Sequence, residues 1–419
     1  MDADVCKHIV SDHQIIKFKL YGFFKNLKFF EPYLLLFFVS KHLTLLQIGF
    51  LISIRELIVN VFELPSGLVA DYWGKKKELL LCFVFYMVSF VFFYATSSFG
   101  TAAIAMILFG LGEAFRSGSH KAMIFTYLER KHWQDYKAYV YGRTRGSSLI
   151  GSALSSLISI LLILKLPSFN GIFLFSLVPY AFDFLLILSY PSYLDTTNKE
   201  TDKSFVSFFS DIVRGLRVNK PLRHLILGAG VFEGTIAGMK DMVQPILEGL
   251  ALSSGMILVA TLSPDKNLKI VLGLLYMVIS LMSVVSTRNA YRLSNHIASQ
   301  TLLNTVHFLL VFCLLMIAFW IKKPLIVCLV FIMIHIIHNA RKPIFIAVID
   351  DNMHKSERAT VLSLESQVKS LVTIIVAPFV GFVADTYSMR LAFLLLAFLL
   401  VCIFPFLEVL KKKKLALNV

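Results

Sequence analysis

Apolar runs long enough for a helix to cross a bilayer recur from one end of this chain to the other; "GIFLFSLVPYAFDFLLIL" (171–188) is one of them. About 20 such residues span a hydrocarbon core about 30 Å thick. In lipid every backbone N–H and C=O must find its partner within the chain, so repeated runs of this length point to helices. Twelve spans can be placed, at 24–40, 45–66, 78–97, 101–126, 140–164, 170–190, 223–249, 268–287, 299–320, 324–347, 359–382 and 389–410. The apolar stretch at 251–262 is too short to cross alone and is assigned to a connection. Only 16% of the 419 residues are charged and mean hydropathy is +0.75, whereas a soluble chain carries about a quarter charged residues. The expected fold class is an all-α membrane protein.

Several function classes drop out early. The five cysteines (Cys6, Cys82, Cys313, Cys328, Cys402) are scattered, without a Cys-x-x-Cys pair or a Cys/His ligand spacing, so neither a disulfide framework nor a metal site is expected. Gly67 and Gly74-Lys75 are separated by six residues with no Ser or Thr following, which is not a nucleotide-binding P-loop. No nucleophile–base spacing and no soluble catalytic domain is evident, so no enzyme and no cofactor is expected. The first apolar stretch runs through Pro32 to Ser40 and is read as a retained span rather than a signal peptide.

A formal net charge of +15 suggests nucleic acid at first sight, but basic residues of membrane proteins collect in cytoplasmic loops. With both termini placed in the cytoplasm, 24 Lys and Arg fall in connections on that side and seven on the other. This asymmetry fixes the orientation and removes the need for a nucleic-acid partner. The polar connection 191–222 separates an N-terminal six-helix bundle (1–190) from a C-terminal one (223–419), and its "SFVSFFSDIVRGL" segment has the spacing of an interfacial amphipathic helix.

Between the second and third spans lies "GLVADYWGKKKELL" (67–80). Asp71 and Lys75 are four apart, the spacing of a pair on one helical face, and Gly67 suits close helix approach. This pattern, with "GLGEAFRSGSHKAMIFTYL" in the fourth span, resembles the major facilitator superfamily, in particular bacterial drug- and metabolite-type members. The resemblance implies twelve helices in two bundles and rocker-switch alternating access. It also implies a conformational latch at Gly67, Asp71, Gly74 and Lys75, with Glu129 as partner. Two features depart from the family pattern. Met106 stands where an arginine often precedes the fourth-span glycine, and the fifth span has Gly142, Gly146 and Gly151 but no Gly-Pro pair. "GFVADTY" (381–387) echoes the loop on the opposite side and is taken as chance.

Ionisable residues inside a bilayer cost roughly 2.5–3.5 kcal/mol each on insertion scales, so they face cavities or pair. Glu56, Asn60 and Glu63 share a face beside Arg55. Glu113, Arg116 and His120 follow at i, i+3 and i+7 in the fourth span, and Glu233, Lys240 and Asp241 with Gln244 and Glu248 in the seventh. His335, His338, Asn339 and Arg341 lie in the tenth, and Glu365 precedes Lys369 by one turn in the eleventh. The resemblance places substrate chiefly on spans 1, 4, 7 and 10. Glu113, Arg116, His120, Glu233, Lys240, Asp241, His338, Asn339 and Arg341 are thus the substrate or proton-pathway candidates. The competing reading makes them intramembrane ion pairs that hold helices together. "AFR" at 114–116 and "NAR" at 339–341 fall at similar depths, a geometry that would bring two arginines to an anionic group.

The expected function is a monomeric secondary transporter of a small solute in a bacterial inner membrane, with proton coupling left open. The alternatives are a transport-inactive sensor or scaffold of the same fold, or a lipid flippase. Zwitterions, organic anions and peptide-like molecules all remain eligible substrates.

Overall fold

In a computed structural model the described residues are 3–116, 118–195, 220–254, 261–294, 299–350 and 358–407, and among them the regular structure is entirely helical. The helices are α1 (Ala3–Ser11), α2 (His13–Lys25), α3 (Leu34–Val39), α4 (Leu45–Trp73), α5 (Lys75–Tyr94), α6 (Phe99–Phe115), α7 (Ser119–Arg130), α8 (Lys137–Lys165) and α9 (Gly171–Leu188). They continue with α10 (Lys220–Met239), α11 (Val243–Ser254), α12 (Pro264–Ser294), α13 (Ser299–Trp320), α14 (Pro324–Asp350), α15 (Arg358–Thr386) and α16 (Met389–Leu407). Nine helical segments among the described residues are long and apolar enough to cross a membrane, and Met389–Phe404 is a shorter apolar one. Of the connection 251–262, residues 251–254 close α11 and 255–260 lie outside the described residues, as do 196–219 of the 191–222 linker.

Three of the expected spans are interrupted, each for a local reason. In the first, α2 starts at His13, well before residue 24, capped by the Asp12 carboxylate, which accepts from the N–H groups of Gln14 and Ile15. It ends at Lys25, and Pro32 opens a short 3-10 turn, Glu31–Tyr33, because it has no N–H to continue an α-ladder. In the fourth, Gly118 takes φ +82° ahead of α7, a backbone that favours glycine. In the seventh, Pro245 cannot donate to the Asp241 carbonyl, and the chain turns at Lys240–Met242 between α10 and α11.

Packing divides the chain into two compact units. One comprises Met1–Lys41, Ile58–Asp202 and Leu258–Leu281; the other comprises His42–Leu57, Lys203–Ile257 and Met282–Val419. The first unit is built on aromatic rings. Phe83, Tyr86, Phe90 and Phe93 line α5 and are buried against Phe173 and Tyr180 of α9, with Phe93 stacked on Phe173 at 4.8 Å and Phe90 edge-on to Tyr180 at 4.9 Å. Each such pair is worth about 0.5–1.5 kcal/mol beyond its buried area.

In the second unit, Gly230, Gly234 and Gly238 of α10 recur every fourth residue and lie against Val368, Val372 and Val376 of α15. Small residues at this spacing let two helices approach closely where lipid offers no hydrophobic drive for their association. The first half of α4 also packs on α15: the Ser53 hydroxyl donates to the Ile374 carbonyl at 2.7 Å, and Gly49 abuts Ala377 and Pro378.

Candidate functional site

In the first unit the charged side chains gather where α2 and α6 end. Arg116 is the C-cap residue of α6, and Lys25 occupies the last turn of α2. Cations are favoured there because the last carbonyls of a helix carry partial negative charge. Arg116 Nη2 donates to Glu113 Oε2 at 2.7 Å, and the Tyr86 hydroxyl donates to Glu113 Oε1 at 2.8 Å. Lys28 Nζ lies 3.6 Å from Glu113 Oε1 and 5.8 Å from the centre of the Phe109 ring. The Arg116 side chain is nevertheless 31% exposed, and its Nε has no hydrogen-bond partner.

His120 lies on a different helix from Glu113 and Arg116, though within electrostatic reach of Lys25 and Arg116. The shared face at i, i+3 and i+7 requires one continuous helix, and the break at Gly118 places His120 on α7. Its ring stacks on Tyr21 at 3.6 Å, meets Phe18 edge-on at 5.4 Å, and lies 3.3 Å from the Tyr190 hydroxyl.

In the second unit Glu233 of α10 lies 3.2 Å from His338 Nδ1 and 3.7 Å from Arg341 Nη1, both on α14. Arg341 is only 5% exposed and lies over the rings of Phe232 and Phe345, at 4.6 and 5.2 Å from their centres. It is held as a structural cation. Asn339 donates to the Ser283 hydroxyl of α12 at 3.0 Å and to its own helix at His335, a helix–helix contact. Lys240 and Asp241 form a 3.8 Å pair in the turn between α10 and α11. Arg55 pairs with its neighbour Glu56 at 2.8 Å, whereas no ion pair links Glu365 to Lys369 among the described residues.

The 67–80 loop also departs from expectation. Gly67 approaches nothing: a Cβ there would meet no atom within 4 Å. Asp71 and Lys75 do not share a helix, since Gly74, at φ +101°, ends α4 and starts α5. Lys76 of the motif is tied to the end of α9. Its Nζ donates to the carbonyls of Leu188 and Tyr190 at the end of α9, at 2.9 and 2.7 Å, and its N–H donates to Asp195 Oδ1 at 2.9 Å. Asp195 thus supplies the carboxylate at the start of α5 that Gly74 cannot. Glu129 pairs with Lys137 at 2.7 Å. Glu78 is fully buried and accepts a hydrogen bond from Ser119. Asp385 of "GFVADTY" accepts from the N–H groups of Leu45 and Leu46 at 3.2 and 2.8 Å and caps the start of α4, so the echo of the loop has a structural use.

Sequence reasoning missed Lys25, Lys28, Tyr86 and Asp183. Lys25 falls at the edge of the expected first span and outside the candidate residues, yet it is 8% exposed within a helix. Asp183 is fully buried in α9, with neither carboxylate oxygen hydrogen-bonded. A lone acid in an 18-residue apolar run was the available signal.

Interrupted membrane helices with ionisable residues at their ends define a multi-pass α-helical membrane protein of the carrier type. The chain belongs to the Major Facilitator Superfamily, whose sequence profile matches residues 26–366; this is a family of membrane transporters rather than of enzymes. It is 34% identical over 90 residues to YxaM of Bacillus subtilis (strain 168), an uncharacterized MFS-type transporter, and the match spans 22% of this chain and 23% of that one. Its fold is similar to that of the nucleoside transporter NupG, with a TM-score of 0.79 and 11% identity over 96% of this chain and 100% of that one. It is also similar to a POT family transporter solved with a thioalcohol-conjugated peptide, with a TM-score of 0.70 and 12% identity over 93% of each chain.

Proposed function

We propose that this chain is a secondary active transporter that moves a small solute across a bacterial inner membrane by rocker-switch alternating access. In this reading 1–190 and 223–419 are its two six-helix bundles, and both termini and the 191–222 linker are cytoplasmic. The observation that carries the reading is the Glu113–Arg116–Lys28 group. Charged side chains inside spanning helices are retained where they serve a water-filled pathway, and this group is tied together yet leaves Arg116 31% exposed.

The helix interruptions support the same reading. The first and seventh spans occupy corresponding positions in the two halves, and broken helices in corresponding positions are where carriers hold their cargo. The orientation rests on the 24-to-7 distribution of basic residues. For proton coupling the supporting pair is Glu233 with His338, a carboxylate and an imidazole 3.2 Å apart; histidine changes charge in the physiological range. An identity of 11–12% to a nucleoside transporter and a POT family transporter leaves the solute open.

The test starts from a thermal-shift screen of the purified full chain against water-soluble metabolites, since a ligand that binds the folded state raises the melting temperature by mass action. Hits are then offered to proteoliposomes with and without an inward proton gradient. Uptake above protein-free vesicles, lost in the Glu113→Gln/Arg116→Gln double variant, is the expected result. A hit that binds but enters no faster than into empty vesicles overturns the transport reading. Uptake indifferent to both the gradient and Glu233→Gln overturns the proton coupling.

A further inference from the structure

The cations where α2 and α6 end outnumber the acids that meet them. Lys25, Lys28 and Arg116 all act on Glu113, and both Glu113 oxygens are already engaged, one by Tyr86 and one by Arg116. Asp183 lies within the electrostatic reach of Lys25, but its oxygens make no hydrogen bond and no ion pair, so it fixes none of the three cations by contact. Lys25, 8% exposed, lies within 4 Å of no carboxylate among the described residues. The C-terminal ends of α2 and α6 each offset roughly half a charge. Three cations against one carboxylate and two helix ends leave about one positive charge unmatched.

Hydrogen-bond donors are in surplus too. A guanidinium carries five N–H donors; Arg116 gives Glu113 one hydrogen bond, and its Nε makes none. Arg116 and Lys28 are 31% and 21% exposed, so a ligand can reach them. In the second unit the spare donors of Arg341 are out of a ligand's reach, because Arg341 is 5% exposed between two phenyl rings, with Glu233 3.7 Å from its Nη1.

We infer that Lys28 and Arg116, with the buried Lys25 charge behind them, bind a singly charged oxyanion, a carboxylate or its equivalent, on a water-soluble solute. The inference rests on the transporter reading and selects, among zwitterions, peptides and anions, the organic anion. Arg116 supplies the planar fork that matches an oxyanion, Lys28 and Lys25 supply point charges, and Phe109 beneath Lys28 lines the apolar side.

The experiment follows thermal unfolding of the detergent-purified full chain with charge-paired probes: benzoate against benzamide, gluconate against glucose, and glycerol 3-phosphate against glycerol. Choline serves as a cation, and phosphatidylglycerol against phosphatidylcholine tests a lipid source of the oxyanion. The expected result is a saturable rise in melting temperature with a soluble anion and none with its neutral partner. Lys28→Gln weakens that binding roughly tenfold or more while the ligand-free melting temperature stays close to wild type, and Lys28→Arg retains it. Lys25→Gln gives the same loss if it folds, and the half-exposed Lys28 serves as the readout if it does not. A shift caused by choline or by neutral partners overturns the inference, as does a shift with phosphatidylglycerol and no soluble anion, or no shift with any probe. An anion that binds through Lys28 but is not taken up by proteoliposomes upholds the site and overturns the transport reading instead.

Discussion

Glu113→Gln should destabilise the protein more than Arg116→Gln, although the two side chains form one ion pair. Without Arg116, Glu113 keeps the Tyr86 hydroxyl at 2.8 Å and Lys28 at 3.6 Å. The loss is one charge-assisted hydrogen bond, worth about 1.5–3 kcal/mol when buried. The pair is 31% and 20% exposed, so solvent screening brings this to about 1–2 kcal/mol. Without the Glu113 charge, three cations act on one another, and only Lys25 lies within electrostatic reach of Asp183, which it does not contact. Leaving buried charge uncompensated in this way costs about 3–5 kcal/mol. The double variant removes one charge of each sign and should recover about 1–2 kcal/mol of the Glu113→Gln loss, a coupling of the size found for contacting residues. The assay is thermal unfolding of detergent-purified variants at one fixed scan rate, because unfolding of a chain this large is operationally a rate. The ordering of melting temperatures is the readout. Arg116→Gln falling as far as Glu113→Gln, or a double variant no better than Glu113→Gln alone, would show that Lys25 and Lys28 are neutralised elsewhere and would refute the charge count.

Ser119→Ala should cost about 1–3 kcal/mol in thermal unfolding, because it removes the hydroxyl that bonds the fully buried Glu78. Gly74→Ala should cost about 1–3 kcal/mol, since φ is +101° and the new Cβ runs into the Asp195 carboxylate. Gly67→Ala meets open space and should be neutral or stabilising by up to about 1 kcal/mol; a loss of stability there would restore a close-packing role for Gly67. Asp385→Asn should lower stability by about 0.5–2 kcal/mol by weakening the cap on α4. In cells, a membrane-impermeant thiol reagent added outside should label Ser168→Cys and leave Ser204→Cys untouched, each in a background with the native cysteines replaced.

Helix existence was legible because a bilayer ties it to a single quantity, the length of an apolar run, and the backbone has no alternative partner in lipid. The interruptions were half legible. Pro32 and Pro245 each remove an N–H that an α-ladder needs, which can be read from sequence. The break at Gly118 depends on a positive φ, and glycine alone does not announce one. Side-chain partners were the least legible. Periodicity brings Glu113, Arg116 and His120 to one face only if the helix continues, and His120 instead stacks on Tyr21. The choice between the two depends on ring packing across distant segments, which periodicity does not encode.

The charged residues that matter share a placement that reconciles both outcomes. Lys25 sits in the last turn of α2, Arg116 caps α6, and Lys240 with Asp241 fills the turn between α10 and α11. A helix that stops within the membrane leaves carbonyls without partners, and a bilayer offers no water to meet them. Cations at those ends offset the partial negative charge of the carbonyls and lower the cost of the break. The residues that permit a broken helix are therefore the same ones that give the interior its charge. This is why Lys25 escaped notice: positive charge at the edge of a span reads as a cytoplasmic flank, whereas the helix begins at His13 and that edge lies inside the fold. A basic residue four or five positions before a proline, within an apolar run, marks such a break in sequence. Lys28 before Pro32 and Lys240 before Pro245 both fit that spacing, one in each half of the chain.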